Sequence, residues 1–300
     1  MKILNFGSLN LDYIYDVSHF VEPGETLATG DMEIFCGGKG FNQSLAVCKS
    51  GQGVWHAGAL GESDSKMLME SFVENGVHTE FILKKSGSSG HAIIQRDRSG
   101  QNCILLYGGA NQCITQSDVD HVLEAFEAGD YIILQNEISE VAYIMEKAHE
   151  KGMQIVFNPS PMNKQIKNYP LEYVDYLILN EIEAKQICEM KLQKVTEDSK
   201  EQIQLLASYL PQAKVVLTLG DKGAIYKEKD KEIFQKAYKV QAIDTTGAGD
   251  TFTGFFIGSL AQGKEISEAM DLAAKASAIS VTRKGAGPSI PSLKEVILFH

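Results

Sequence analysis

Residues 244–252 read Asp244, Thr245, Thr246, Gly247, Ala248, Gly249, Asp250, Thr251 and Phe252. Small residues there leave successive backbone N–H groups free to converge on an anion, and the apolar stretch that follows predicts a helix opening at the site. A phosphate suits such a place. Asp250 then stands out, because a carboxylate beside an anion nest repels the ligand unless it accepts a proton from whatever attacks the phosphate. That pairing points to phosphoryl transfer to a hydroxyl. Taken alone, the run also reads as a flexible turn closed by an Asp helix cap.

A second group of chemistry-bearing residues lies at other strand ends and helix starts. Asn10 and Asp12 follow the first apolar strand, the run Gly37-Gly38-Lys39-Gly40-Phe41-Asn42-Gln43 opens a helix, and Glu137 follows a later strand. Together they offer amides, carboxylates and an ammonium, the mixed donors and acceptors that a polyhydroxylated ligand demands. Each has a plainer reading: turn formers for Asn10 and Asp12, a solvated charge for Lys39, a helix N-terminal acid for Glu137. Other motifs fall away. The stretch from Gly258 to Lys264 resembles a P-loop but continues with Glu265 where a Ser or Thr is needed, and no G-x-G-x-x-G, H-E-x-x-H or G-x-S-x-G occurs.

The elements that must position these residues alternate. Apolar runs at 3–7, 54–59, 131–134, 154–157, 176–179 and 215–218 predict buried strands. Helical periodicity at 40–49, 65–74, 117–128, 141–150, 182–189 and 201–209 separates them, with a hairpin near 227–231 and two closing helices. Repeated βα units imply a mostly parallel sheet covered on both faces, a three-layer α/β/α core whose ligand crevice lies beyond the carboxyl ends of the strands. Segments 11–36 and 89–107 break the alternation. They are β-rich, with turns at Pro23-Gly24 and Ser99-Gly100, and predict a small separate sheet, while 1–10, 37–88 and 108–300 form the core. Residues 91–94 and 103–107 are apolar at nearly every position, so both faces of that sheet want cover: a substrate and a second subunit, or the main core.

The chain has 300 residues, ample for a large buried core, and a net charge of −11 with acidic residues scattered throughout. A nucleic-acid surface is disfavoured. The five cysteines, Cys36, Cys48, Cys103, Cys113 and Cys188, contain no C-x-x-C pair, and three sit in core-like apolar surroundings. They fit a reducing compartment. The first residues read as a strand rather than a secretory segment, and no apolar run approaches the roughly 20 residues of a membrane span. The expectation is a cytoplasmic protein.

With those residues assembled, the chain resembles the ribokinase-like (PfkB) family of sugar and nucleoside kinases. The match runs nearly end to end, through Gly7–Asp12, Pro23–Thr26, Gly37–Gln43, Gly108–Asn111, Asn180–Glu183, Thr218–Gly223, Asp244–Phe252 and Val281–Ala286. The two glycine-rich runs are the family's specific signatures. The resemblance implies a β-sheet lid over the sugar and an ATP-dependent phosphorylation of a primary hydroxyl, D-ribose to D-ribose 5-phosphate foremost. Another pentose, a ketohexose, a ketodeoxy acid or a nucleoside are the alternatives within the class, and a non-catalytic sugar or nucleotide sensor is the alternative outside it.

The same resemblance implies the roles. Asp250 is the base, and the amides of Gly247, Ala248 and Gly249 form the anion hole. Asn10, Asp12, Gly38, Lys39, Asn42 and Glu137 hold the sugar, Asn180 and Glu183 lie near phosphate and Mg²⁺, and Thr218, Gly220, Asp221, Lys222 and Gly223 hold ATP. A K⁺ site is implied at the Asp244 side chain, the Ser289 hydroxyl and the backbone oxygens of Thr246, Ser280, Arg283 and Gly285, with a homodimer through the lid. Three positions depart from the family pattern. Phe41 and His91 would make a bulkier sugar wall, and Ala274 stands where a polar residue borders adenine.

Overall fold

The computed structural model describes residues 1–98 and 101–300, so the turn expected at Ser99-Gly100 lies outside the described residues. The chain opens with β1 (Ile3–Phe6), β2 (Asn10–Asp16), β3 (Met32–Gly37), α1 (Lys39–Lys49), β4 (Trp55–Gly61), α2 (Lys66–Glu74), β5 (His78–Lys85), β6 (Gly90–Arg96) and β7 (Asn102–Tyr107). It continues through α3 (Gln116–Leu123), β8 (Tyr131–Gln135), α4 (Val141–Glu150), β9 (Gln154–Asn158), β10 (Tyr176–Asn180), α5 (Glu181–Ile187), α6 (Ser199–Tyr209) and β11 (Lys214–Thr218). The hairpin β12 (Gly223–Glu228) and β13 (Lys231–Lys236) precedes α7 (Ala248–Ala261), α8 (Ile266–Ser280) and α9 (Leu293–Leu298).

Among the described residues nine strands form the main sheet in the order β13-β12-β11-β10-β9-β8-β1-β4-β5, parallel from β11 to β5 and antiparallel from β11 through β12 to β13. Helices cover both faces. One apolar layer packs Leu4, Phe6, Ile132 and Leu134 against α3, α4, α5 and α6, and the other packs Ile3, Ile133 and Ile178 against α1, α2, α7 and α8. The central strands carry apolar side chains on both faces because both are buried, as their unbroken apolar runs predict. Segment β5 has no assignment in the sequence pattern: it is an edge strand with charged residues at Glu80, Lys84 and Lys85, which reads as loop without its partner β4. Three helices close the chain rather than two, the last being the single short turn pair of α9.

The small sheet has the order β3-β2-β6-β7, with β2 and β6 parallel and the outer pairs antiparallel. Between β2 and β3 the chain is mostly exposed and carries no strand. Strand β7 is exposed at every position, Leu105 at 68% and Tyr107 at 54%. Both faces of this edge strand therefore lie off the main core. Three cysteines do have core-like surroundings, Cys188 buried and Cys36 and Cys48 half-buried against the core, while Cys103 and Cys113 are exposed. Cys103 sits on β7, where an apolar neighbourhood in sequence is not an apolar neighbourhood in space.

Candidate active site

Helix α7 packs against α1 closely enough that a Cβ at Gly254 would lie 2.3 Å from Cβ of Ala46. Glycine there lets the two helices meet, and their N-termini converge. Asp250, in the first turn of α7, is buried and accepts from Gln43 Nε2 on Oδ1 at 2.8 Å and from Asn42 Nδ2 on Oδ2 at 3.4 Å. Before it, the amides of Gly247 and Gly249 meet no acceptor among the described residues, and that of Ala248 makes only a 3.3 Å contact with the Thr245 carbonyl. These are the free donors that every helix start leaves. They open on a cleft of about 200 Å³ lined also by Lys39, Asn158, Asn180, Glu183, Thr218 and Thr253.

Gly40 is the second point where only glycine fits, because a Cβ would lie 2.4 Å from the Ser8 amide nitrogen. That approach brings the start of α1 onto the end of β1. Ser8 Oγ and the Lys39 amide (2.9 Å) both donate to Glu137 Oε2, and Gly40 N donates to Ser8 Oγ at 3.2 Å. Gly38 caps α1 and accepts from the Asn42 amide at 3.0 Å. On β2, Asn10 accepts from Asn111 Nδ2 at 2.8 Å while Asn111 also bonds the backbone of Leu9, which ties the first strand of the small sheet to the core.

Charge is concentrated here. Burial pushes the Asp12 carboxyl up to about 7, and the nearby Glu137 adds to the rise. Burial likewise raises Glu137, against the pull of Lys39. For Lys39, burial works to remove the proton, but Asp250, Glu137 and Glu183 outweigh it and the pKa ends above its ordinary value. A buried acceptor, Asn42 Oδ1, has no partner among the described residues. It suits a ligand hydroxyl, which can donate its one hydrogen bond there.

The structure thus brings Lys39, Asn180, Glu183, Thr218, Gly247, Ala248, Gly249 and Asp250 around one cleft, with Asn42 and Glu137 bonded to its lining. Asn180 and Glu183 form a reciprocal capping box at the start of α5, so each serves the helix as well as facing the cleft. Gly220, Asp221, Lys222 and Gly223 lie outside its lining, in the turn from β11 to β12, where Lys222 is 3.6 Å from Glu181. Asp244 accepts from the amide and hydroxyl of Thr246 on one oxygen and from the Gly285 amide on the other, joining the loop before α7 to the loop after α8. Burial opposes these bonds, yet the bonds hold its carboxyl below the usual range.

Neither Phe41 nor His91 lines the cleft. Phe41 is buried and stacks on Phe72 at 4.7 Å, between α1 and α2, so it fills core. His91 pairs in register with Leu11 and contacts the rings of Tyr13 and Tyr107, whereas Asp12 pairs with Ala92. Neighbouring strand positions face opposite ways, so His91 and Asp12 lie on opposite faces of the small sheet. Residues the sequence reasoning passed over include Ser8 and Asn111, both inside runs that carried the resemblance, and Asn158, marked only by its place at a strand end.

The match to a family model decides the affiliation: the pfkB family carbohydrate kinase model covers residues 1–293. The chain belongs to the pfkB family of carbohydrate kinases. It is 34% identical to the ribokinase of Staphylococcus aureus over 301 residues, 98% of each chain. It is 30% identical over 305 residues to the deoxyribokinase of Salmonella typhi, spanning 98% of this chain and 97% of that one. Among solved structures, Arabidopsis thaliana ribokinase complexed with ribose and ATP superposes with a TM-score of 0.88 at 29% identity, covering 99% of this chain and 97% of that one. The fold is the ribokinase fold, and the pfkB member described here is a sugar kinase.

Proposed function

We propose that this chain transfers the γ-phosphoryl group of ATP to the primary hydroxyl of D-ribose, giving D-ribose 5-phosphate. The observation that carries the reading is Asp250: a buried carboxylate at the mouth of an amide nest, on the floor of a cleft bordered by Lys39. Asp250 takes the hydroxyl proton, and the amides of Gly247, Ala248 and Gly249 meet the charge that gathers on the transferred group. Asn10, Asp12, Gly38, Lys39, Asn42 and Glu137 hold the sugar, with the unpartnered Asn42 Oδ1 as one acceptor. The bound ribose and ATP of the Arabidopsis relative support the substrate pair.

Asn180 and Glu183 are the polar groups placed to meet phosphate and its Mg²⁺, which when bound neutralises phosphate charge. The adenosine end lies toward Thr218, Gly220, Asp221, Lys222 and Gly223. For K⁺, the carbonyls of Thr246, Arg283 and Gly285 accept no hydrogen bond among the described residues, and Thr246 and Gly285 are hydrogen-bonded to Asp244. With Ser280 O and Ser289 Oγ they are the kind of donor set a large, weakly hydrated cation takes. The ion would steady the loop that carries the amides. Segments 11–36 and 89–107 form the lid, and its exposed apolar strand pairs with a second copy. Five free thiols support a reducing compartment, the cytoplasm; among the described residues no helix is long and apolar enough to cross a membrane.

The experiment is ADP release from Mg-ATP with K⁺ across ribose, 2-deoxyribose, fructose, ketodeoxy acids and nucleosides, with Asp250→Asn as the blank. Expected are a preference for ribose, a loss of about 10²- to 10⁴-fold in the variant, and lower turnover when Na⁺ replaces K⁺. Near-normal turnover by the variant removes Asp250 as base. Preference for another acceptor moves the substrate, indifference to the ion removes K⁺, and silence with every acceptor favours a sensor.

A further inference from the structure

The Gly37–Gln43 run ends in a residue for which the reaction as described has no use. Gln43 is fully buried, and its side chain lies between Asp250 and a chain of polar groups that runs back under the sheet. Gln135 Nε2 donates to Gln43 Oε1 at 2.7 Å and to Asn5 Oδ1 at 2.9 Å. Asn5 Nδ2 in turn donates to the Gly40 carbonyl at 2.8 Å and to Ser44 Oγ at 2.9 Å. Ser44 Oγ lies 2.8 Å from Nδ1 of His56, a buried ring whose pKa is pushed down to about 3 by burial and which therefore stays neutral.

The direction of the amide bonds in this chain is fixed from the Gly40 carbonyl. A backbone carbonyl can only accept, so the Gly40 oxygen forces Asn5 to present its NH₂ there and its oxygen to Gln135. Gln135 must then turn its NH₂ toward both Asn5 and Gln43, which leaves Gln43 its own NH₂ for Asp250. Ser44 Oγ accepts from Asn5 and meets Nδ1 of the neutral imidazole. An amide free to flip would present to Asp250 an oxygen as readily as a donor, and oxygen against carboxylate repels. We propose that Gln43 is the positioning residue of the catalytic base: it pins Oδ1 of Asp250 through one directed hydrogen bond, so that Oδ2 is the oxygen turned to the sugar hydroxyl, and Gln135 sets the direction of that bond. This rests on the assignment of Asp250 as base. Residues 43, 135 and 250 come from three distant parts of the chain, and the packing of α1 on α7 is what joins them.

The test is Gln43→Met, which keeps length and bulk but removes both ends of the amide, made in the parent and in Asp250→Asn. With ribose and Mg-ATP, kcat is expected to fall by about 10- to 100-fold, the worth of one hydrogen bond to a charged group, while KM for either substrate stays within about twofold. In the Asp250→Asn background the same substitution is expected to cost nothing further, because the group it positions is gone. An equal loss in both backgrounds, or a loss in KM rather than kcat, overturns the proposal. Should Gln43→Met fail to fold, Gln135→Met answers the same question without touching Asp250: a kcat loss that vanishes beside Asp250→Asn supports the relay, and an undiminished one refutes it. A parent that phosphorylates nothing refutes the kinase reading itself, and an Asp250→Asn variant that turns over normally refutes the base, so those failures are distinguishable from this one.

Discussion

Replacing Asp12 by Asn is expected to stabilise the protein, and more so as the pH rises. In the folded chain the carboxyl titrates at about 7, raised first by burial and then by Glu137, against 3.8 for the free group. Between those two values the folded state holds a proton that the unfolded chain has released, so stability falls as pH climbs through that window and levels off above about 7. Asparagine has no proton to lose. Working the two titrations through, the charge at Asp12 costs about 2 kcal/mol at pH 5.5 and about 4 kcal/mol at pH 8. These are upper figures, because water reaches part of this half-buried group and screens it. The difference between variant and parent thus grows by at most about 2 kcal/mol across the range, or roughly 3 °C in Tm for a chain of this size. Thermal unfolding of both proteins at a series of pH values reads it directly. A Tm difference that stays flat across the series would refute the reasoning, since it would mean that Asp12 ionises like an exposed carboxylate.

Phe41→Ala is expected to cost about 3–5 kcal/mol of stability by opening a cavity against Phe72, with KM for ribose changed little; a KM effect without a drop in Tm would return Phe41 to the sugar wall. Leu105→Asp, on the exposed edge strand, is expected to leave a monomer where the parent sediments as a dimer. A parent that is already monomeric would remove the lid as an interface.

The order of strands and helices was legible because burial on two faces writes unbroken apolar runs, and helices write a 3.6-residue period. The cleft was legible in part because the short runs 37–43 and 244–252 hold glycines, amides and carboxylates together at helix starts, and residues of both runs line it. What the sequence could not show is which residues face one another. Phe41, one position from Asn42, points into the core while Asn42 meets Asp250, and His91 and Asp12 part company because the register sets His91 beside Leu11, one position from Asp12. Edge strand β5 has no pattern of its own, since no residue of it is fully buried. The bonds among Asp250, Gln43, Gln135 and Asn5 exist only once α7 lies on α1 and β8 beside β1. Residue types are set locally by the backbone each must adopt and the atoms each must offer; their partners are set by packing, which sums over the whole chain.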